Sequence, residues 1–301
     1  MYRGVVRPWA LVLLVPLFAC SKDTNPPGRP AARKDAAVAV VVPADAAVAP
    51  AVPHDTYPDL AAALNAIIPP DARVIGFGEL HSRTDRAQVK SSLAHFTNEG
   101  LPAIADKLSD LIIETWIVDP KCGQAAKTAT AKVEITVRRP QETKSEIAML
   151  ADAARAAKIQ PHAMRINCDD YEKIAPSGKD VAPEALLDLT TRELSRIAQE
   201  AVKHRDKEPD HRPLIALYGG ALHNDRFPAK GIEDWSYAAK VDAATNNHFI
   251  EIDLIVPELA EGDANSQKAP WFPLVQDKSP TVKVWKRGDR SFVIVFPRSA
   301  G

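Results

Sequence analysis

Two familiar hydrolase signatures are missing from this sequence: it has no His-Glu-x-x-His helix and no Gly-x-Ser-x-Gly elbow. Their absence removes a zincin-type metal helix and an α/β-hydrolase nucleophile from consideration. A complete dinucleotide fingerprint is lacking as well. Gly76-x-Gly78 supplies two glycines, but His81 stands where the third belongs, so Rossmann-type pyrophosphate binding is not expected. Neither sign of charge is in excess. With 38 Lys and Arg against 39 Asp and Glu, the formal net charge is −1, and no long basic block appears. Bulk attraction to nucleic acid is therefore excluded. No tandem repeat of fixed period is present.

Cysteine is scarce, three residues in 301. The first, Cys20, closes the leader MYRGVVRPWALVLLVPLFAC, in which Arg3 and Arg7 precede an apolar stretch too short to span a bilayer comfortably. Leu17-Phe18-Ala19-Cys20 resembles a bacterial lipobox. That resemblance implies a signal peptide over residues 1–19, cleavage before Cys20 and acylation of Cys20. The partner would then be a lipid bilayer, reached without a spanning helix. Ser21, in place of an aspartate, implies the outer membrane. An ordinary signal peptide cut elsewhere, or a short anchor, is the alternative. Residues 20–53 read as an Ala/Pro-rich tether that holds a domain off the surface, although residues 37–42 could pack along that domain. In an oxidising periplasm the remaining cysteines, Cys122 and Cys168, can form a disulfide or stay apart as thiols.

Residues 54–301 fit a single α/β domain, long enough to bury a substantial core. Periodicity and punctuation predict helices over 57–68, 83–100, 101–108, 142–159, 183–206 and 234–245. Thr84 or Asp85 is the expected cap of the second, and Gly100 its end. Strands are expected over 73–77, 110–116, 160–170, 213–220 and 248–256, with a hairpin over 281–297 turning across Arg287-Gly288-Asp289. A polar excursion carrying Cys122 follows the second strand. Strands alternating with helices predict a mostly parallel sheet flanked by helices on both faces, with a C-terminal antiparallel hairpin. Ligands of such sheets bind outside the carboxyl ends of the strands.

Chemistry concentrates at those ends. RVIGFGELH runs through a strand to Gly78, Glu79 and His81, and RPLIALYGGALH runs through another to Gly220 and His223. Both close on Gly-x-x-His. A third strand, DLIIETW, delivers Glu114. Glycine lets the backbone turn and lets a ligand come close, while imidazole can bind a metal, shuttle a proton or polarise a carbonyl. A neighbouring carboxylate orients it or serves as a base. Glu79, His81, Glu114 and His223 are thus candidate catalytic and metal-ligating residues, with Gly78, Gly220 and Tyr218 as cofactor contacts. A plainer reading makes His81 a helix cap or a buried structural histidine and pairs Glu79 with Arg83 or Arg86. Ser82 reads as a turn residue. His54 and His95 read as bland, His162, His204, His211 and His248 as supporting residues without a motif, and Asn167, Asp169, Asp225 and Asp253 as reserve candidates.

On these residues the chain resembles the superfamily that joins erythromycin esterase-like proteins, ChaN-like haem-binding lipoproteins and the TraB/Tiki group. The matching positions are Gly78, Glu79 and His81, then Glu114, then Gly220 and His223, in order and spacing over about residues 57–256. The Tiki-like branch implies a divalent metal ion held by His81, His223, Glu79 and Glu114, activating water for hydrolysis. The esterase-like branch implies His81 as a general base without a metal, but GELHSRTD lacks the longer Gly-Glu-x-x-His form typical there. The ChaN-like branch implies haem or iron binding without turnover. The expectation is a surface-tethered domain with a metal-assisted hydrolase-like site acting on a small molecule or peptide. A haem carrier and a non-catalytic envelope interaction module are the rivals.

Overall fold

The computed structural model describes residues 52–176, 179–208 and 212–299. The leader, Cys20, the tether up to residue 51 and His211 lie outside the described residues. Eight strands form one sheet: β1 (Asp55–Tyr57), β2 (Val74–Glu79), β3 (Leu108–Trp116), β4 (Gln160–Met164), β5 (Leu214–Gly220), β6 (Phe249–Ile255), β7 (Val282–Gly288) and β8 (Ser291–Val295). Their order is β1-β7-β8-β6-β2-β5-β3-β4. Every adjacent pair from β8 to β4 is parallel, and β7 is antiparallel to both its neighbours, β8 and β1. β7 alone therefore opposes the rest. The expected mostly parallel sheet and terminal hairpin are both present.

The central strands β2, β5 and β6 are buried along nearly their whole length because both faces are covered. Ile75, Phe77, Ala216, Tyr218, Ile250 and Ile252 pack on one face, beneath α1 (Leu60–Ile67), α2 (Ser92–His95), α3 (Leu101–Ile104) and α5 (Glu142–Ala156). Val74, Ile112, Ile215, Leu217 and Phe249 pack on the other, beneath α7 (Pro183–Arg205) and α9 (Ala238–Ala244). A satellite core joins α4 (Gly123–Val137) to α6 (Cys168–Ile174) and the start of α7. Cys122 and Cys168 are bonded there, Cα atoms 5.1 Å apart. Among the described residues no helix is long and apolar enough to cross a membrane.

The differences from the sequence expectation have local causes. The helix expected over 83–100 starts only at Ser92, because Ser91, not Thr84 or Asp85, caps it by accepting from the Ala94 N–H. Residues 80–91 are instead a loop with one 3₁₀ turn at Thr84–Arg86. Gly100 does not end that helix. It lies in a π turn, Phe96–Gly100, that leads straight into α3, and a Cβ there would come within 2.8 Å of the Phe96 ring. Leu108, expected in a helix, opens β3. The polar excursion after β3 holds all of α4, whose buried positions are only Ala126, Ala129 and Val133. The strand expected to reach residue 170 stops at Met164, since Asn167 begins a capping box for α6. The helix expected over 57–68 is confined to Leu60–Ile67, where Asp59 caps it and Tyr57 belongs to β1. That expected over 234–245 begins regular winding at Ala238, after a 3₁₀ turn.

Candidate functional site

The sheet order brings β2, β5 and β3 side by side, so their carboxyl ends form one rim. Glu79, the last residue of β2, pairs in register with Gly220 of β5. Ile113 pairs with Tyr218 across the other side of β5, which places Glu114 one residue further along the same rim. Glu114 then lies over Gly219, and a Cβ on Gly219 would stand 2.5 Å from its carboxylate oxygen. His81 lies over Gly220, where a Cβ would meet Nε2 at 2.9 Å. The paired glycines are thus a floor cut low enough for an imidazole and a carboxylate. The Gly220 N–H donates to Glu114 Oε2 at 2.6 Å.

A chain of short hydrogen bonds fixes the imidazole. Tyr218 Oη donates to Glu79 Oε2 at 2.6 Å, and Glu79 Oε1 lies 2.7 Å from His81 Nδ1. Arg139 Nη2 lies against the ring, 2.6 Å from Nε2 and 3.3 Å from Nδ1. A guanidinium only donates, and Nδ1 already faces a carboxylate. The contacts therefore assign the imidazole proton to Nδ1 and leave Nε2 unprotonated beside the guanidinium. Arg139 Nη2 also donates to Glu114 Oε1 at 3.2 Å, and that oxygen is 3.7 Å from His81 Nε2.

The electrostatics follow from these contacts. Burial and the Arg139 charge disfavour the imidazolium, but the nearby carboxylates of Glu114 and Glu79 outweigh them, and the His81 pKa is raised above the ordinary imidazole value. Burial would keep Glu114 protonated, yet His81, His223 and Arg139 together hold its carboxyl far below the usual range. Burial, then the neighbouring Glu79 charge, pushes the Tyr218 phenol well above its usual value, so it stays a donor.

Two depressions lie beside His81. One, too tight in this arrangement to admit a water molecule, lies among Glu79, Ser82, Ser91, Arg139, Thr143 and Glu146. The other, about 30 Å³, is bounded by Leu80, Arg83, Arg86, Leu259 and Asp263.

Of the sequence-predicted set, Glu79, His81 and Glu114 come together in one bonded cluster with Tyr218. His223, in the short helix α8 (Ala221–Asn224), is buried nearby but turned to other partners. Its Nδ1 lies 2.9 Å from Thr191 Oγ1 and 3.0 Å from the Trp235 carbonyl. It touches the cluster's chemistry through its electrostatic effect on Glu114. Among the described residues no group of three or more His, Cys, Asp or Glu is arranged to hold a metal ion. Both ring nitrogens of His81 are engaged, so the proposed ligands do not fit a divalent ion in this arrangement. Tyr218 donates its hydroxyl to Glu79 and is 3% exposed, which leaves it no approach to a haem iron. Gly78 lies against Asp253, Asn224 and Ala221, so its missing side chain makes room for protein. Arg83 pairs with Asp85, leaving Glu79 to His81.

Among the described residues the remaining histidines have structural partners. His162 bonds Asp110, and His95 bonds Glu99 while stacking on Phe296. Asn167 caps α6 and Asp225 pairs with Arg287. Arg139 and Glu146 are the members of the site that no motif announced. Arg139 follows the left-handed residue Arg138 that ends α4 (φ 49°), a turn with no glycine to mark it. Glu146 is one of many charges on α5.

The fold and rim define an α/β protein with a His–Glu–Arg cluster at adjoining strand ends. No protein-family model matches the chain, and no curated protein matches it. Among solved structures it is similar to the type III effector HopBA1, at 11% identity and a TM-score of 0.38 over 84% of this chain and 100% of that one. It is also similar to a Bacillus cereus protein, at 11% identity and a TM-score of 0.42 over 78% and 90% of the two chains.

Proposed function

We propose that the rim is a metal-independent hydrolytic site in which His81 is the general base. The observation that carries this reading is the relay from Tyr218 through Glu79 to His81, which leaves the basic lone pair on Nε2 beside the Arg139 guanidinium. Glu79 holds the Nδ1 tautomer and stabilises the imidazolium that forms when Nε2 takes a proton from water. Water reaches Nε2 when Arg139 swings from that nitrogen towards the substrate carbonyl. Arg139 then donates to the oxyanion, and its buried, unpartnered Nε is a donor in reserve. Glu114, ionised and anchored by the Gly220 N–H, keeps the guanidinium at the rim. By the lipobox resemblance, the domain would act at the bacterial envelope, held by acylated Cys20.

The test is hydrolysis of a panel of small esters and amides by the mature protein, with and without EDTA. The expected result is turnover that EDTA leaves unchanged and that His81→Ala lowers by roughly 10²–10⁴-fold. Activity lost to EDTA and restored by a divalent ion would reinstate the metal-assisted reading. A Soret band on haem titration without any turnover would reinstate the carrier reading.

A further inference from the structure

We propose that Glu146 is the general acid of this site and protonates the leaving group once Arg139 has swung out of the space between Glu146 and His81. The substrate would then be an ester or amide that expels a poor leaving group, an alkoxide or an amine. The inference rests on the hydrolytic reading above.

The placement of Glu146 is unusual for a surface helix. Helix α5 buries Leu150 and Ala154, and Glu146 sits one turn before Leu150 on that same stripe. It is half-buried there and lines the depression shared by Glu79, His81 and Arg139. A carboxylate so placed would ordinarily be met by a cation. Glu146 is met instead by a neutral hydroxyl: Ser91 Oγ donates to its Oε2 at 2.8 Å. The same Oγ accepts from the Ala94 N–H at 2.9 Å, so the α2 cap fixes the direction of the Ser91 proton and, through it, the carboxyl. Oε1 is then the oxygen that carries and gives up a proton.

Its charged neighbours favour the acid form. Burial, Glu79 on β2 and Glu142 one turn earlier on α5 raise the Glu146 pKa, against the Ser91 bond that lowers it. Arg139 is the cationic group that lines the same space. Glu114, on the same rim, is driven the opposite way. Carboxyl groups pushed apart in this manner mark the acid and the permanent anion of a site.

The step balances. His81 Nε2 takes one proton from water as the water oxygen bonds the carbonyl carbon. When the tetrahedral intermediate collapses, the bond to the leaving oxygen or nitrogen breaks with its electron pair. That atom takes the proton from Glu146 and departs as an alcohol or amine. His81 then returns its proton to the Glu146 carboxylate through solvent, and both groups are reset.

The experiment compares Glu146→Gln with wild type on acetate esters of one acyl group and two leaving groups, 4-nitrophenoxide and ethoxide. Glutamine keeps the shape of the side chain and an oxygen for Ser91, and a thermal melt checks the fold. The expected result is kcat/KM within about twofold on the nitrophenyl ester and a loss of about 10²-fold on the ethyl ester. Ser91→Ala gives an independent readout: loss of its bond should move the acidic group's limb of the pH profile upward. Equal losses on both esters, no loss on either, or an unmoved limb in Ser91→Ala would overturn the acid role while leaving the His81 reading intact. Failure of the wild type to hydrolyse any ester or amide would overturn both.

Discussion

At the scale of single residues, the rim depends on atoms that are absent. Gly220 has no Cβ where one would stand 2.9 Å from His81 Nε2. Gly220→Ala must displace the imidazole or the guanidinium beside it, so kcat should fall by about tenfold or more while the melting temperature changes little, since a misplacement near 1 Å costs on that order or above. Steady-state kinetics beside a thermal melt would check this, and unchanged kcat would mean that His81 does not work in the position seen. Titration of His81 gives a second outcome. A general base must be neutral, so kcat/KM should rise with pH through a limb above the ordinary imidazole value of 6.5. Glu79→Gln removes a bond that raises the His81 pKa, so the limb should move down in pH while the maximal rate falls, because the imidazolium loses its counter-charge. A limb that stays put would detach Glu79 from the base. That His81 and Gly220 share a rim with Glu79 and Glu114 was legible in sequence because strand-end spacing ties them to the backbone, whereas His223 and Gly78 face protein instead. Arg139 was not legible, because its position depends on the path of a loop between two helices.

At the scale of elements, the legible ones were those with a strong apolar period, and the errors fall where small residues or caps decide the structure. Helix α4 buries alanines at positions 126 and 129, which hardly alter the hydrophobic pattern. The loop over residues 80–91 hides behind good helix formers, and only the cap at Ser91 marks its end. Both elements bear on the site, since α4 ends next to Arg139 and the loop carries His81. The Cys122–Cys168 bond ties the start of α4 to the first turn of α6. With its ends 46 positions apart in sequence, loop-closure entropy credits the bond with about 4 kcal/mol at most. Cys122→Ser/Cys168→Ser should therefore lower stability by about 2–4 kcal/mol in denaturant titration. It should also weaken activity more than a matched loss of stability elsewhere, because α4 sets where Arg139 stands. Equal activity at a temperature where the variant stays folded would separate the satellite core from the site.

At the scale of the whole molecule, alternation of helices and strands made the sheet class legible, but not the strand order. Insertion of β5 between β2 and β3 is what sets Gly220 between Glu79 and Glu114, and nothing in local pattern encodes it: the contact is made between segments about 140 residues apart in the chain. The same order leaves two edges to protect. Strand β4 carries Pro161, which cannot donate to a further strand. On the opposite side, three residues of β1 cover β7 through the register Asp55↔Val284, Thr56↔Lys283 and Tyr57↔Val282. Strand β7 is longer, seven residues, and includes apolar Val282, Val284 and Trp285, an edge that would pair readily once bare. A chain shortened to begin after Tyr57 should retain its parallel core and its site, because β7 is held by β8 and lies three strands from β2. It should also self-associate through the uncovered edge, with an apparent mass that rises with concentration in light scattering. The Lys283 ammonium is fully buried, 3.6 Å from Asp277 and within 3.4 Å of two backbone carbonyls, so it lends the edge no free charge. A peptide of residues 52–57 added back should restore the monomer if β7 is the pairing edge. If the shortened chain stays monomeric, β1 serves only to close the sheet.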